Sequence, residues 1–287
     1  MGIKNAYKLY ASSMKIIKES ELKDCRVGVD ASYEIYRASL GARHLNEITD
    51  KKGNNTICIN VFLCNIIRLK KMGVKGLLYI FDNPGINEMK IAEQKKRKEK
   101  RDLYTDNEKV QFKLNTNCTS IIKNLLKHLG IGYITAPLGI EAEQLAAYIT
   151  ELDIFITADF DSLLFGNKKI IRKSKKGKNK YEMYELKKII SDNNISKDQF
   201  IKAGVVLGCD FAPKTPRVGV KTVFKKLDSI ELTDIQKKAF DYFKQTVDYS
   251  LTENIVKEEY NKENTIKFLI GYNFNKDRIE KMLKGYK

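Results

Sequence analysis

The chain holds only two histidines, His44 and His128, and five scattered cysteines, Cys25, Cys58, Cys64, Cys118 and Cys209, none in a CxxC pair. That scarcity argues against a zinc centre, which is built from imidazole and thiolate donors. No Ser and His pairing offers a nucleophilic triad. A GxxxxGK[ST] phosphate loop is missing, as is any GxGxxG at a strand-to-helix junction, which weighs against ATPase and dehydrogenase chemistry. No apolar stretch approaches the roughly 18 residues of a membrane span, and neither a lysine-rich amphipathic terminus nor a lipidation signal stands out. No membrane partner is therefore expected. The five cysteines, odd in number, read as small reduced core residues, and with no signal peptide before the first strand an intracellular chain is expected.

What is present is positive charge. Among 287 residues, 53 Lys and Arg face 36 acids, a formal net charge of +17 and a pI near 9.4, which points to a polyanionic partner, nucleic acid first. With 43% hydrophobic residues the chain has an ample core for one large domain or two small ones. Between 168 and 180 there are eight Lys or Arg and no acid, and Gly177 within KSKKGKNK suggests a hairpin tip that duplex phosphates could touch. A lysine-rich edge strand also deters aggregation, so both readings stay open. Residues 88–113, EMKIAEQKKRKEKRDLYTDNEKVQFK, have too few apolar positions to cover a sheet. They are expected to project from the body, or to form an ordinary solvated helix and loop.

Elsewhere apolar runs alternate in length and period. An amphipathic stretch carrying Ala6, Leu9, Tyr10, Ile16 and Ile17 precedes a strand at 26–30, and helices of about 32–43 and 57–72 flank the charged turn DKKGNN. A strand at 76–81 follows, and then a helix at 119–129, a strand at 132–135, a helix at 141–152, a strand at 153–157 and the run KKIIRK at 168–173. This alternation predicts an α/β fold with a mostly parallel sheet covered by helices on both faces. From 186 onward the chain reads as helical, with no Pro- or Gly-rich linker, so one compact unit is expected.

Seven acids sit at the edges of these runs: Asp30 ends RVGVD, Asp82 ends GLLYIFD, Glu141 and Glu143 lie in GIEAE, Asp159 and Asp161 in IFITADFD, and Asp210 ends VVLGCD. In an α/β sheet, ligands bind at the C-terminal strand edge, and converging like charges persist there only if cations neutralise them. Oxygen donors without His or Cys select hard ions, so Mg²⁺ is expected, with Mn²⁺ as a substitute. Two such ions about 4 Å apart suit in-line phosphodiester hydrolysis. The spacing of Asp159 and Asp161 argues for a strand end, because on a helix residues two apart diverge by about 200°. Gly139 suggests that Glu141 and Glu143 enter a helix at its N-terminus, where acids are also favourable to the dipole.

The motifs MGIKNAYKLY at 1–10, VDASYEIYR at 29–37, IFDNP at 80–84, GIEAEQLAAY at 139–148, TADFDSLLFG at 157–166 and LGCDFAPKTPRVGVKTV at 207–223 resemble, in order and spacing, the flap endonuclease family of XPG-like, structure-specific 5′ nucleases. The resemblance covers essentially the whole chain, including ENTIKFLIGYNFNKDRIEKML near the end. It implies a PIN-like central sheet flanked by helices, a helical arch at 88–120 and a helix-turn-helix element of helix-hairpin-helix type that grips duplex. It implies one nuclease core with an N-terminal region at 1–100, an internal region at 121–195 and a helical region at 196–287. By the same matching, Asp30, Asp82, Glu141 and Glu143 would serve one metal ion, and Asp159, Asp161 and Asp210 a second.

Lys90 and Arg97 resemble the family's basic pair on the scissile phosphate. Tyr36 matches the aromatic on which a terminal base stacks, and Gly2, Arg43 and Gly208 match positions near DNA. Residues 197–227 resemble the duplex-gripping element, whose turn often holds K⁺. Here Arg217 stands where a glycine is usual and Val220 where a proline is usual, while Gly219 and Lys221 keep the motif. K⁺ in the 209–221 turn is thus left open while phosphate contact is expected. The arch segment between Arg97 and Gly130 looks shorter than in cellular relatives, so threading of a free 5′ end is expected to be less strict. No clear sliding-clamp motif is found: QKKAFDYF at 236–243 has Ala239 at the aliphatic position and is expected in a helix.

The resemblance implies a Mg²⁺-dependent 5′ flap endonuclease and 5′-to-3′ exonuclease, acting as a monomer on branched or nicked DNA at sites of replication, nuclear in a eukaryote or cytoplasmic for a virus. Kept beside it are a Holliday-junction resolvase or mismatch-repair exonuclease of the same family, and a non-catalytic DNA-binding scaffold.

Overall fold

β-Branched and aromatic runs place seven strands among the described residues: β1 Lys15–Lys18, β2 Arg26–Asp30, β3 Gly76–Phe81, β4 Gly132–Thr135, β5 Ile154–Ile156, β6 Lys169–Lys173 and β7 Lys180–Glu185. The computed structural model describes residue 3 and residues 6–41, 57–85, 87–103, 116–177, 179–247 and 255–286. These pack as two compact units, each assembled from three separated segments.

One unit comprises Leu22–Phe81, Val110–Thr135 and Ser250–Lys287. Its strands are parallel: β2 pairs β3 with Asp30 opposite Ile80, and β3 pairs β4 with Phe81 opposite Thr135. Val27, Val29, Tyr79, Ile80, Phe81 and Ile134 are all buried, the near-continuous apolar reading of strands covered on both faces. Helices Ala31–Gly41, Ile57–Lys71 and Thr116–His128 belong to this unit. Phe62 packs on Tyr79 with ring centroids 5.0 Å apart. Phe62, Leu63 and Ile66 are fully buried, each contributing about 1.5–3 kcal/mol.

The other unit comprises Met1–Glu21, Asp82–Lys109 and Ala136–Tyr249. Here β5 runs parallel to β6, while β6–β7 and β7–β1 are antiparallel. The lysine-rich segment does form a hairpin, with Gly177 at φ +138° and Asn179 at φ +61° in its connection. Tyr10 is fully buried between Phe160 and Phe200, both 5.7 Å away, and Phe165, Phe211, Tyr242 and Phe243 make a second aromatic cluster. Helices Lys197–Leu207 and Asp234–Lys244 start with capping boxes, Ser196 with Gln199 and Thr233 with Gln236.

Several sequence expectations are corrected. The helix placed at 141–152 is Ala142–Tyr148, and the strand placed at 153–157 is Ile154–Ile156. Strand β1 lies in the stretch whose apolar spacing announces only amphipathic character. The Asp159 and Asp161 pair is not at a strand end: β5 stops at Ile156, and Asp161 opens the short helix Asp161–Phe165. Nor is the chain wholly helical after 186, since Val256 forms an isolated antiparallel bridge with Tyr133. Gly2, Arg43 and residues 104–115 of the expected arch lie outside the described residues, as does the side chain of Arg97. Before them, the arch segment begins with a tight turn Glu88–Lys90 and the helix Ile91–Leu103.

Candidate functional site

Asp82 directly follows β3, and its Oδ1 accepts the Ala142 N–H at 3.0 Å, at the first residue of helix Ala142–Tyr148. Glu141 occupies the N-cap position of that helix without making a capping bond. Its carboxylate instead accepts from Asn87 Nδ2 at 2.5 Å and pairs with the Lys90 ammonium. Glu143 lies in the helix's first turn. One carboxylate oxygen from each of Asp82, Glu141 and Glu143 lies within 4.8 Å of the others. The helix dipole favours acids here, yet it is worth only about 0.3–1 kcal/mol at each and does not offset three converging charges.

Lys90 supplies part of the compensation. Burial alone would lower its pKa, but Glu141 and Glu143 together raise it well above the usual lysine value, so the ammonium stays charged. Its Nζ also lies 5.0 Å from the centre of the Phe211 ring, which restricts where the charge can go.

The second set of acids is linked through the backbone. Asp159 donates its N–H to Thr157 Oγ1 at 3.1 Å, Asp161 donates its N–H to Asp159 Oδ1 at 3.0 Å, and Asp210 donates its N–H to Asp161 Oδ2 at 3.3 Å. Asp159 and Asp161 are buried. Burial and the neighbouring Asp210 raise the Asp159 carboxyl above its ordinary range, and burial with Asp159 and Asp210 raises Asp161 further. Asp161 Oδ1 is buried with no hydrogen-bond partner among the described residues. A buried charged oxygen without a partner is strongly disfavoured, and a cation is what an all-oxygen donor set would hold there. The residues therefore fit divalent metal.

Three residues that sequence reasoning passed over hold this arrangement. Asn87 is buried; its amide lies 3.0 Å from the Tyr242 hydroxyl and 3.4 Å from the Gly139 carbonyl as well as against Glu141. Tyr242 donates to the Gly139 carbonyl at 2.8 Å, and burial followed by Glu141 raises its phenol pKa. Asn167 donates to the carbonyls of Glu143 at 2.7 Å and Ser162 at 3.0 Å, tying one acidic pair to the other.

Asp30 and Tyr36 belong to the other unit. Asp30 ends β2, is buried, and its Oδ1 accepts the Tyr33 N–H at 2.8 Å at the start of helix Ala31–Gly41. Tyr36, on that helix, is 40% exposed.

The 197–227 element begins with helix Lys197–Leu207 and ends with helix Val223–Lys226. Gly208 follows the first helix at φ +88°, and a Cβ there would lie 2.8 Å from the Lys214 nitrogen, so glycine is required. Arg217 is at φ +59°. The other non-glycine residues in that region, among those described, are Asp24, Asn179, Asn194 and Asn273, which tolerate it far better. The turn thus keeps a glycine-type backbone at Arg217 with an arginine on it, a strained position of the kind that clusters at functional sites. Gly219 accepts the N–H groups of Thr222 at 3.0 Å and Val223 at 2.9 Å. Lys214, Arg217, Lys221, Lys225 and Lys226 are exposed around it.

Comparison with known proteins places this chemistry. Residues 1–104 match the XPG N-terminal domain and residues 130–210 the XPG I-region. Flap endonuclease 1 of Methanocaldococcus jannaschii is 26% identical over 93% of this chain and 89% of its own length, and that of Nanoarchaeum equitans 27% over 99% and 94%. The catalytic core of Rad2 in complex with DNA substrate superposes with a TM-score of 0.77 at 21% identity over all of both chains. Flap endonuclease-1 from Methanococcus jannaschii gives 0.71 at 24% identity over 94% of both. Both share the mixed, mostly parallel sheet flanked by helices. GEN1, a Holliday junction-resolving enzyme solved with product DNA and Mg²⁺, gives 0.56 at 17% identity over 99% of this chain and 68% of its own.

Proposed function

The chain belongs to the XPG family of flap endonucleases, and from that premise we propose how its residues act. It is a structure-specific 5′ flap endonuclease: it binds DNA, uses divalent metal and cleaves phosphodiester bonds. The finer reading is two Mg²⁺ ions with Mn²⁺ as a substitute, 5′-to-3′ exonuclease action on nicks, a monomeric enzyme and a place of action at DNA replication sites. One observation carries it: Asp82, Glu141 and Glu143 bring three carboxylate oxygens within 4.8 Å of one another, with Lys90 paired to Glu141.

Asp82, Glu141 and Glu143 would hold one ion and Asp159, Asp161 and Asp210 the other, with Asp30 assigned to the first group by family matching. When bound, these ions would supply Lewis-acid activation of water and neutralise charge on the leaving oxygen. Lys90, kept charged by Glu141 and Glu143, provides a fixed cation for the non-bridging oxygens of the scissile phosphate. Exposed Lys214, Lys221, Lys225 and Lys226 gather duplex phosphates, and K⁺ in the 209–221 turn would add to that grip. Tyr36 offers a stacking platform for a terminal base, a contact that ignores sequence.

The Holliday-junction alternative is not favoured, because the flap endonuclease relatives align along 89% and 94% of their own lengths. A non-catalytic scaffold is not favoured either, since all seven carboxylates are present. The deciding experiment is a gel assay of 5′ flap, nicked, gapped and Holliday-junction substrates in Mg²⁺, Mn²⁺ and EDTA. Preferred incision at the flap base in Mg²⁺ supports the reading. Preferred symmetric cutting of the four-way junction, or equal cleavage in EDTA, refutes it.

A further inference from the structure

Two thiols in the unit that carries Asp30 face each other across a helix pair. Cys58 stands at the start of helix Ile57–Lys71 and Cys118 at the start of helix Thr116–His128, and their sulfurs are 3.0 Å apart. Neither residue takes part in the site described above. Thiols at van der Waals contact sit farther apart than this, and closing to the roughly 2.05 Å of a disulfide needs a shift of about 1 Å, shared between two side chains. Cys58 is buried and Cys118 half-buried, so a small reagent meets Cys118 first. We propose that Cys58 and Cys118 are a site of reversible disulfide formation, a covalent clamp between these two helices that leaves the active site in place.

The chemistry balances with a low-molecular-weight disulfide such as oxidised glutathione as oxidant. The Cys118 thiolate attacks one glutathione sulfur, the glutathione disulfide breaks, and one glutathione thiolate leaves. The Cys58 sulfur then attacks the Cys118 sulfur of the mixed disulfide and expels the second glutathione. Two electrons pass from the cysteine pair to glutathione, and the two cysteine protons end on the released thiols. Cys118 is suited to the first step, because the hydrogen bond from Cys58 lowers its pKa against the opposing effect of burial. The same hydrogen bond, together with burial, raises Cys58. The bond would close a loop of about 60 residues containing Asp82, Lys90 and helix Ile91–Leu103, a long loop for which the entropic gain is large.

The test treats the full-length reduced protein with oxidised glutathione, followed by intact mass, alkylation of remaining thiols and peptide mapping. The expected result is a loss of two hydrogens, a linked Cys58–Cys118 peptide, and a melting temperature higher by roughly 5–10 °C that dithiothreitol reverses. Cys58→Ser should instead keep one glutathione on Cys118 and show no such rise, and a protein with Cys25, Cys64 and Cys209 all changed to Ser should still form the link. Flap cleavage by the oxidised form should stay within about twofold, since the roughly 1 Å closure falls on two sulfurs that take no part in the site, whereas the same shift at a reacting centre could cost about 100-fold. A persistent mixed disulfide on the unmutated protein, five alkylatable thiols after treatment, or linkage through another pair overturns the site. A loss of cleavage beyond tenfold overturns the clamp's neutrality.

Discussion

Replacing Asn87 by alanine removes in one step an amide that donates to Glu141 Oε1 at 2.5 Å, with the Tyr242 hydroxyl at 3.0 Å and the Gly139 carbonyl at 3.4 Å. It also removes the oxygen that accepts the Met89 N–H at 3.0 Å and caps the turn leading to Lys90. The amide has two hydrogens, so it serves two of its three acceptors at once. A hydrogen bond to a charged group contributes about 1.5–3 kcal/mol net and a cap about 1 kcal/mol. The expected loss is therefore about 2.5–4 kcal/mol. At roughly 2–4 °C per kcal/mol for a large domain, the melting temperature should drop by roughly 5–15 °C. The functional effect follows from the same contacts. Glu141 keeps its pairing with Lys90 but loses the partner that fixes its other oxygen, and a displacement of about 1 Å costs up to 100-fold. Single-turnover cleavage of a 5′ flap, measured across a Mg²⁺ titration, should show kcat/KM lower by about 10–100-fold and half-saturation at higher metal. Asn87→Asp keeps the cap oxygen but sets a second carboxylate against Glu141, so without metal it should melt no higher than Asn87→Ala and its stability should rise more steeply on adding Mg²⁺. Wild-type rates with a wild-type metal titration in Asn87→Ala would show that Asn87 does not position Glu141.

Asp161→Ala should abolish Mg²⁺-dependent incision while duplex binding by anisotropy changes little, and robust cleavage by that variant would sink the two-metal assignment. Because burial, Asp159 and Asp210 hold the Asp161 carboxyl well above its ordinary range, its charge opposes folding at neutral pH; metal-free Asp161→Asn should melt higher than the parent, and an equal or lower melting point contradicts this. Gly208→Ala forces a Cβ to 2.8 Å from a backbone nitrogen at φ +88° and should cost about 1–3 kcal/mol in strain alone, seen as a lower circular-dichroism melting point; an unchanged one rejects the geometry. Lys221→Ala should weaken duplex binding evenly across sequences and reduce the slope of log affinity against log salt by about 1, whereas an unaltered slope means no phosphate contact.

Much of this was legible along the chain because strand ends are local features. RVGVD and GLLYIFD announce buried strands and the acids at or just past their ends, and KSKKGKNK announces the hairpin through charge and a glycine. The departure at Arg217 was visible as an arginine in a glycine's place, and the structure supplies the reason glycine is usual there: the backbone is left-handed. Asn87 and Tyr242 were not legible, because 155 residues separate them and each looks ordinary in its own segment. Tyr242 reads as one more apolar position of an amphipathic helix, and Asn87 as a loop residue after a proline. The turn between Ile156 and Asp161 is hidden in the sequence for a related reason. Two acids two apart share a side on a strand, and the hydrogen bond from the Asp161 N–H to Asp159 Oδ1 achieves a similar convergence without one.

The pairing of β1 with β7 has a consequence for how the protein is made. Lys15 lies opposite Met183, about 170 residues later, so at a synthesis rate of about 5–20 residues per second the first strand waits roughly 10–30 s for its partner. Ile17, fully enclosed at the end, spends that interval uncovered, along with Tyr10 and Leu9. Such long-range closure is slow and leaves an adhesive segment uncovered on a nascent chain. A segment made well before its partner is thus among the last parts of this sheet to be shielded.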